Sequence, residues 1–268
     1  MNTNQLELLC QQTCQLVTSV ADFIRGEVGK VGTEKIEVKS LNSLVSYVDK
    51  TAECQLVAGL SELLPGSTFL TEEETVEQSA GEFQWIIDPL DGTTNFLHQL
   101  PYFAVSVALR QHEEIVLGIV YEVSRQECFS AWKSGGAWLN GQPIHASATA
   151  SLADSLVATG FPYREFETME FYMKTLRQLM ASTRGLRRYG AAAVDLAYVA
   201  CGRFDAFFEY GLAAWDVAAG VLLVQEAGGR VSDFDGGEDY VFGGRLLAAA
   251  PGVFEGMLGL IKSPKAGN

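Results

Sequence analysis

Apolar residues in the first part of the chain recur at helical spacing. Residues 5–26 carry them three and four positions apart, which predicts an amphipathic helix. Residues 44–64 show a similar spacing and predict a second helix, which ends at Pro65-Gly66 because these two residues disfavour helix continuation. The chain therefore begins with two predicted helices.

Between residues 68 and 145 the pattern is typical of strands. Short apolar runs rich in β-branched and aromatic residues alternate with polar turns. The predicted strands cover 68–71, 84–88, 103–109, 115–121 and 128–132. Gly135-Gly136 and Asn140-Gly141 are hairpin signals, so the sequence predicts an antiparallel meander in the first half.

In the second half of the chain, strand and helix patterns alternate. The predicted strands cover 155–159, 186–189, 206–209 and 246–250, and the predicted helices cover 165–181, 191–201, 213–227 and 253–262. This alternation predicts a layered α/β half. No linker separates independent domains, so we expect one domain over 1–268, with an α+β half (about 1–145) and an α/β half (about 146–268).

Composition and charge narrow the function classes. The chain has 268 residues, 48% of them apolar, and a formal net charge of −14, which disfavours nucleic acid and anionic membranes as partners. No apolar run approaches the ~20 residues of a membrane span. The N-terminus lacks the features of a signal peptide, and the five scattered cysteines include no CxxC pair, so a cytoplasmic protein with reduced, buried thiols is expected.

The string Trp85–Phe96 carries the most chemistry. A predicted buried strand delivers two carboxylates, Asp88 and Asp91, at its C-terminal end, followed by Gly92 and the hydroxyls of Thr93 and Thr94. Carboxylate and carbonyl oxygens suit Mg²⁺, and backbone amides at a turn suit phosphate oxygens. An ordinary turn with capping Asp residues is the alternative. The full string favours a site for a hard cation and a phosphate.

These residues resemble signatures of the inositol monophosphatase family. The matching strings are Asp88-Pro89-Leu90-Asp91-Gly92-Thr93-Thr94-Asn95-Phe96, Trp215-Asp216-Val217-Ala218-Ala219-Gly220, Glu226-Ala227-Gly228-Gly229, the pair Glu72-Glu73, and Lys39 followed by Val45-Ser46-Tyr47-Val48-Asp49. The resemblance runs from about Lys39 to about Ala250, nearly the whole chain. It implies a layered α/β/α/β/α sandwich with an antiparallel sheet first and a mixed sheet second.

The resemblance also implies a role for each matching residue. The metal ligands would be Glu72, Asp88, Asp91, the Leu90 carbonyl and Asp216, with Glu73 in support, for two or three Mg²⁺ ions. Asp49, Glu72 and Thr93 would be catalytic and orient the attacking water. The substrate-binding residues would be Asp91, Gly92, Thr93, Ala192, Glu209 and Asp216, and Lys39 is a further candidate.

The implied activity is phosphomonoester hydrolysis by a metal-activated water, on inositol monophosphate or a similar small polyol or sugar phosphate. A carboxylate cluster fits this chemistry, because like charges gather only where cations separate them. The resemblance further implies a lithium-sensitive homodimer. Alternatives within the superfamily are a 3′(2′),5′-bisphosphate nucleotidase, a fructose-1,6-bisphosphatase or a histidinol phosphatase, and a remote alternative is a non-catalytic binding protein with a relic site.

Several residues carry competing interpretations. Asp216 could be a simple helix cap, and Glu72, Glu73 and Glu74 could form a solvated loop. Asn42, Thr71 and Ala191 depart from the common family pattern, and the missing hydroxyl at Ala191 removes one possible polyol contact. Surface positions are expected for three histidines. A basic cluster could attract phosphate, but a role at the surface or in a subunit contact is favoured. The histidines are His98, His112 and His145, and the basic cluster is Arg184, Arg187 and Arg188.

Overall fold

The computed structural model describes residues 1–32, 36–40, 43–162 and 169–262, and describes side chains for these residues except 36–40, 43 and 44. Seven helices occur in this part of the chain: α1 Thr3–Glu27, α2 Tyr47–Leu63, α3 Thr93–Leu97, α4 Met169–Ser182, α5 Ala192–Ala200, α6 Ala214–Glu226 and α7 Pro251–Ile261. A short 3-10 helix covers Leu152–Asp154.

Fourteen strands occur in the same described ranges. They are β1 Ile36–Ser40, β2 Ser43–Ser46, β3 Thr68–Thr71, β4 Phe83–Asp91, β5 Ala104–Gln111, β6 Glu114–Glu122, β7 Glu127–Trp132, β8 Ala137–Leu139, β9 Gln142–Ile144, β10 Leu156–Thr159, β11 Gly185–Arg187, β12 Ala206–Tyr210, β13 Arg230–Ser232 and β14 Arg245–Ala249. β1 and β2 form a separate antiparallel hairpin.

Two larger sheets organise the remaining strands. The first has seven strands in the order β3-β4-β5-β6-β7-β8-β9, antiparallel except for the parallel pair β3 and β4. The second has five strands in the order β11-β10-β12-β14-β13, parallel around β10 and antiparallel around β14. The predicted antiparallel first sheet and mixed second sheet are therefore confirmed.

Helices cover these sheets in layers. α1 and α2 pack on the outer face of the first sheet, α5 and α6 lie between the two sheets, and α4 and α7 pack on the outer face of the second. Three apolar clusters fill the spaces between the layers. The predicted α/β/α/β/α sandwich is confirmed.

Strand β4 is buried on both faces. Trp85 and Ile87 point into the cluster beneath α1 and α2, whereas Ile86 points into the cluster around α5 and α6. Because side chains alternate across a strand, the unbroken apolar run packs against an apolar cluster on each face of β4. This packing fixes the end of β4, which carries the carboxylates.

The predicted second helix begins later than expected. Residues 44–46 belong to strand β2, and α2 begins at Tyr47, where Ser46 and Asp49 form a reciprocal capping box. The reason is local: the Ser46 hydroxyl accepts from the Val48 amide, while Asp49 accepts from the Ser46 amide. Sequence periodicity did not identify β1, β2, α3 or β13, and it gave only hairpin signals, without strand bounds, for β8 and β9. The first four residues of the predicted helix 165–181 lie outside the described residues.

Two further expectations concern the burial of the cysteines and the length of apolar helices. All five cysteines are free thiols, Cys10 is buried and Cys54 is exposed, so the expected burial holds for only part of the set. Within the described ranges, none of the helices combines the length and apolar character that a bilayer crossing requires.

Strand β6 of the first sheet lies close against the central helix α6 at Gly118. A Cβ atom on Gly118 of β6 would lie 2.7 Å from the Ala219 carbonyl oxygen of α6. Gly118→Ala should therefore lower the free energy of unfolding by about 1–3 kcal/mol, since backbone must move to admit the methyl group. Urea unfolding measures this change.

The matched control is Gly26→Ala, at an exposed α1 position where nothing lies within 4 Å of the added Cβ atom. It should leave stability unchanged or raise it by up to about 1 kcal/mol through helix propensity. Equal effects of the two substitutions would contradict the close packing of β6 on α6.

Candidate active site

The C-terminal end of β4 places two carboxylates side by side. Asp88 and Asp91 are 2% and 9% exposed, and the pairing of β4 with β5 is irregular between them. Residues three apart on a regular strand point to opposite faces, so this irregularity allows the two carboxylates to lie close enough for the charge of Asp91 to raise the pKa of Asp88. The Asp88 Oδ1 atom also accepts a 2.9 Å hydrogen bond from the Leu90 amide, which fixes its rotamer.

Gly92 makes the turn that follows. Its φ of 87° lies in the left-handed region, and a Cβ atom there would approach the Tyr102 carbonyl oxygen to 3.0 Å and the Ala191 Cβ atom to 3.2 Å. Both the dihedral angle and the space require glycine. The turn starts α3 and brings the Thr93 side chain back toward β4.

Thr93 is held by a buried carboxylate from α2. Its hydroxyl lies 2.8 Å from Asp49 Oδ1 and 3.0 Å from the Leu90 carbonyl oxygen, and its single proton can be donated to only one of them at a time. Asp49 Oδ2 accepts from the Ser46 amide and hydroxyl, at 2.9 and 2.7 Å. Burial raises the pKa of Asp49, and the hydrogen bonds from Ser46 and Thr93 oppose that rise.

Two further helices begin at the same place. Asp91 Oδ2 accepts a 2.7 Å hydrogen bond from the Ala193 amide in the first turn of α5, and Asp216 Oδ2 accepts one of 2.7 Å from the Ala213 amide at the start of α6. Helix N-termini carry partial positive charge and unpaired amides, so they stabilise nearby carboxylates. The starts of α2, α5 and α6 each face one of the acidic side chains Asp49, Asp91 and Asp216.

Four carboxylates interact electrostatically: Glu72, Asp91 and Asp216 each act on Asp88. Burial raises the pKa of Asp88 well above its ordinary value, and the charges of Glu72, Asp91 and Asp216 raise it further. The pKa of Asp91 is likewise raised by burial and by Asp216, and its bond from the Ala193 amide opposes this. The acidic groups destabilise one another unless a cation neutralises them.

Glu72 and Glu73 enter this region from the turn after β3. The Glu72 amide donates to the Ile87 carbonyl and extends the β3–β4 pairing, and the Glu73 amide donates to Glu53 Oε2 at 2.8 Å. Both residues are half-buried, whereas Glu74 is exposed with a positive φ of 52°. A fully solvated acidic loop therefore does not describe Glu72 and Glu73.

The donor set fits a hard divalent cation. Carboxylate and carbonyl oxygens are the ligands that Mg²⁺ prefers, and burial followed by neighbouring acidic charges raises the pKa values of Asp88 and Asp91. As the side chains stand, no three acidic, imidazole or thiol groups of the described residues surround one point closely enough to hold an ion. The fit is one of donor chemistry and charge.

Residues predicted to bind the polyol lie on β12 and at the start of α5. Burial raises the pKa of Glu209 on β12 well above its usual range, and the charges of Asp195 and Asp216 contribute, so Glu209 lies in the same electrostatic field. Gly160 leaves room for the Glu209 carboxylate, because a Cβ atom there would overlap its oxygens. Ala192 is the first residue of α5 and is 7% exposed.

Sequence reasoning missed a buried pair beside the site. The Tyr102 hydroxyl donates to Asp195 Oδ1 at 2.7 Å, and burial raises the pKa of Asp195 to about 8. Asn95 donates from Nδ2 to the Tyr102 and Tyr189 carbonyls, each at 2.8 Å, and so ties α3 to the segment before α5. The signal was a lone Asp in the otherwise apolar run 191–200.

The other candidates separate into three groups. Lys39 lies on β1, but its side chain, like Asn42, is outside the described residues. Surface positions are confirmed for His98, His112 and His145. Arg184 pairs with Asp154 at an exposed position, whereas Arg188 lies close enough to Glu209 for its charge to lower the pKa of that carboxyl.

Ala191 immediately precedes α5 and is 1% exposed, and its side chain provides no cap hydrogen bond. A hydroxyl at this position would lie beside the helix start, next to Gly92. The departure from the family pattern therefore removes a potential helix cap as well as a potential polyol contact.

Known proteins resemble this chain along most of its length. The sequence profile of the inositol monophosphatase family matches residues 5–263. An inositol-1-monophosphatase from Mesorhizobium japonicum is 41% identical over 239 residues, which cover 89% of this chain and 90% of the relative. The protein named Nus factor SuhB from Escherichia coli K12 is 44% identical over 221 residues, which cover 82% of this chain and 83% of the relative.

The fold agrees with these sequence matches. The crystal structure of the extragenic suppressor protein suhB from Bartonella henselae superposes with a TM-score of 0.88 at 38% identity, and the match covers 93% of this chain and 96% of that one. The family profile, the relatives and the superposition all extend across both halves of the sandwich. The chain therefore belongs to the inositol monophosphatase family.

Proposed function

We propose that this protein is a Mg²⁺-dependent phosphomonoesterase that hydrolyses inositol monophosphate or a similar small polyol or sugar phosphate. Membership of the inositol monophosphatase family supports a phosphatase. The observation that carries the proposal is the convergence of Glu72, Asp88, Asp91 and Asp216 beside the hydrogen bond from Thr93 to Asp49.

The residues that would hold two or three Mg²⁺ ions are the carboxylates of Glu72, Asp88, Asp91 and Asp216 and the Leu90 carbonyl, with Glu73 in support. When bound, such ions neutralise the acidic cluster, polarise the phosphate and lower the pKa of water. The protein's own contribution is to keep these oxygens together. The Leu90 amide orients Asp88, and the starts of α5 and α6 orient Asp91 and Asp216.

Thr93 orients the attacking water in this proposal. Its hydroxyl has one proton and two candidate acceptors, Asp49 and the Leu90 carbonyl. If the Leu90 carbonyl is occupied as a ligand, Thr93 donates its proton in a hydrogen bond to Asp49, and its lone pairs remain free to accept a hydrogen bond from water. Asp49 and Glu72 would then serve as the acidic groups that align and finally receive that proton.

The turn after β4 would bind the phosphate. The first amides of a helix have no partners within the helix, so the Gly92 and Thr93 amides at the start of α3 can donate to phosphate oxygens. Glu209, Asp91 and Asp216 offer acceptors for hydroxyl groups, and Ala192 lines the start of α5. This arrangement favours a leaving group rich in hydroxyls.

A second candidate function is binding without catalysis. The Escherichia coli relative is named Nus factor SuhB, which supports a binding role in place of, or in addition to, phosphatase activity. The retained Glu72, Asp88, Asp91, Thr93 and Asp216 favour the enzyme. A cytoplasmic homodimer that is sensitive to lithium and binds neither nucleic acid nor membrane remains part of the proposal.

Substrate choice is tested by phosphate release with Mg²⁺ from inositol 1-phosphate, fructose 1,6-bisphosphate and 3′-phosphoadenosine 5′-phosphate. We expect inositol 1-phosphate to be preferred, and Asp91→Asn to lose about 10³-fold or more in kcat, because a carboxylate that binds cations is removed. The matched control is Asp154→Asn, an exposed residue paired with Arg184. If another ester is preferred, the substrate assignment is wrong; if no ester is hydrolysed, the binding protein is favoured.

The role of Thr93 is tested by comparing Thr93→Ala with Thr94→Ala. Both residues lie in the first turn of α3, but the Thr94 side chain is exposed, and only Thr93 bonds to Asp49. Thr93→Ala should lower kcat by about 10²–10⁴-fold with a small change in KM, since the group that orients water is lost. Steady-state kinetics of both variants measure kcat and KM. Equal kcat values for the two variants would remove Thr93 from the mechanism.

The repulsion within the cluster is tested by Asp88→Asn in metal-free protein. Folding raises the pKa of Asp88, so the folded chain binds protons that the unfolded chain releases, and its stability falls as pH rises above the unfolded pKa of about 4. Asp88→Asn keeps the acceptor for the Leu90 amide but cannot ionise. At pH 8 it should be more stable than the wild type by about 1–3 kcal/mol, and this gain should shrink toward pH 5.

Chemical unfolding in the presence of a chelator measures these differences, with Asp154→Asn as the surface control. Added Mg²⁺ should stabilise the wild type more than Asp88→Asn, because the variant lacks one ligand. A variant that is less stable than the wild type at every pH would contradict the inference that the carboxylates repel one another.

A further inference from the structure

Helix α2 carries a second buried acid that the mechanism above does not use. Glu53 is 0% exposed and lies one helical turn after Asp49 on the same buried face. A buried carboxylate is costly unless hydrogen bonds satisfy it, and like charges one turn apart repel. Its presence therefore requires a set of donors, and the structure provides them.

The donors come from a single segment. Glu53 Oε1 accepts from the Thr71 hydroxyl at 2.9 Å and from both the amide and the hydroxyl of Thr75 at 2.7 Å. Glu53 Oε2 accepts from the Glu73 amide at 2.8 Å. Four hydrogen bonds thus connect one carboxylate of α2 to residues 71–75.

This segment carries Glu72, one of the four clustered carboxylates. Thr71 and Glu73 lie on either side of Glu72, and both donate to Glu53. The Glu72 amide donates to the Ile87 carbonyl, so its backbone is also bonded to β4. The backbone around Glu72 is therefore fixed from α2 and from β4.

We propose that Glu53 is a positioning residue that holds the turn 71–75 so that Glu72 can bind cations together with Asp88 and Asp91. The inference rests on the proposed function, because it concerns the same cation site. One face of α2 then orients residues on both sides of the site. Asp49 orients Thr93, and Glu53, one turn further, orients the segment of Glu72.

Glutamine cannot replace Glu53 in this role. Its amide has one acceptor oxygen, but the two Glu53 oxygens face donors on both sides: three at Oε1 and the Glu73 amide at Oε2. In either orientation, the NH₂ group of glutamine would face a donor. The turn must then shift, and Glu72 moves with it.

The experiment is a calorimetric titration of metal-free protein with Mg²⁺, comparing wild type, Glu53→Gln and Glu62→Gln. Glu62 is exposed on the same helix and gives a chemically identical control. Glu53→Gln should bind Mg²⁺ about 10–100-fold more weakly, the range found when residues that orient metal ligands are changed. Glu62→Gln should match the wild type. Unchanged affinity in Glu53→Gln would overturn the proposal.

Phosphate release against Mg²⁺ concentration gives a second readout. If Glu53 positions Glu72, Glu53→Gln should need about 10–100-fold more Mg²⁺ for half-maximal activity and should recover most of the wild-type kcat at saturation. A loss of kcat that Mg²⁺ does not restore, with unchanged Mg²⁺ affinity, would assign Glu53 a merely structural role and overturn the proposal.

Thr75→Val keeps the proposal testable if Glu53→Gln fails to fold. This substitution removes one of the four donors and leaves the Thr75 amide bond to Glu53 in place. It should weaken Mg²⁺ binding in the same direction but by less, and wild-type affinity would count against the proposal. If the wild type binds Mg²⁺ but hydrolyses no ester, the proposed activity fails while the affinity ratios still decide the role of Glu53.

Discussion

Carboxylates held close together in a buried site repel one another, and the structure around β4 depends on how that repulsion is offset. Asp88 and Asp91 lie at the C-terminal end of β4 and are almost fully buried. Burial raises their pKa values, and the charges of Glu72 and Asp216 raise them further. A fold selected only for stability would avoid this arrangement. Its persistence in a well-packed sandwich indicates a ligand of opposite charge.

The surrounding architecture reduces the cost of the cluster. The starts of α5 and α6 donate amides to Asp91 and Asp216, and the start of α2 donates an amide to Asp49. The hydrogen bond from the Ala193 amide to Asp91 also joins the two halves of the chain, because Asp91 ends β4 and Ala193 lies in the first turn of α5. The acidic residues of the site therefore come from both halves of the chain: Asp49, Asp88 and Asp91 from the first and Asp216 from the second.

Much of this could be predicted from the sequence. The apolar run before Asp88 predicts a buried strand, and the order of strand, acids, glycine and hydroxyls predicts a cation and phosphate site at its end. Helix and strand periodicity also predicted the layers, because each amphipathic face must be covered by another layer. The alternation of Trp85, Ile86 and Ile87 between two apolar clusters is the physical basis of that success.

The features that the sequence did not predict have a different physical origin. The start of α2 was missed because a capping box overrides apolar periodicity at Ser46 and Asp49. Asp195 and Glu53 gave only the weak signal of single acids in apolar helix faces, and their partners lie far away in the chain: Asp195 pairs with Tyr102, and Glu53 with the turn 71–75. Partners contributed by distant segments are not visible in local sequence patterns.

The central claim is that the clustered carboxylates bind the cations that the reaction needs. It is tested most directly by a crystal structure with Mn²⁺ in place of Mg²⁺ and with inorganic phosphate, using anomalous scattering to locate the ions. The account predicts at least two ions, about 3.5–4 Å apart, among Glu72, Asp88, Asp91 and Asp216, with phosphate at the Gly92 and Thr93 amides. Anomalous density only at surface carboxylates, with none in the cluster, would contradict it.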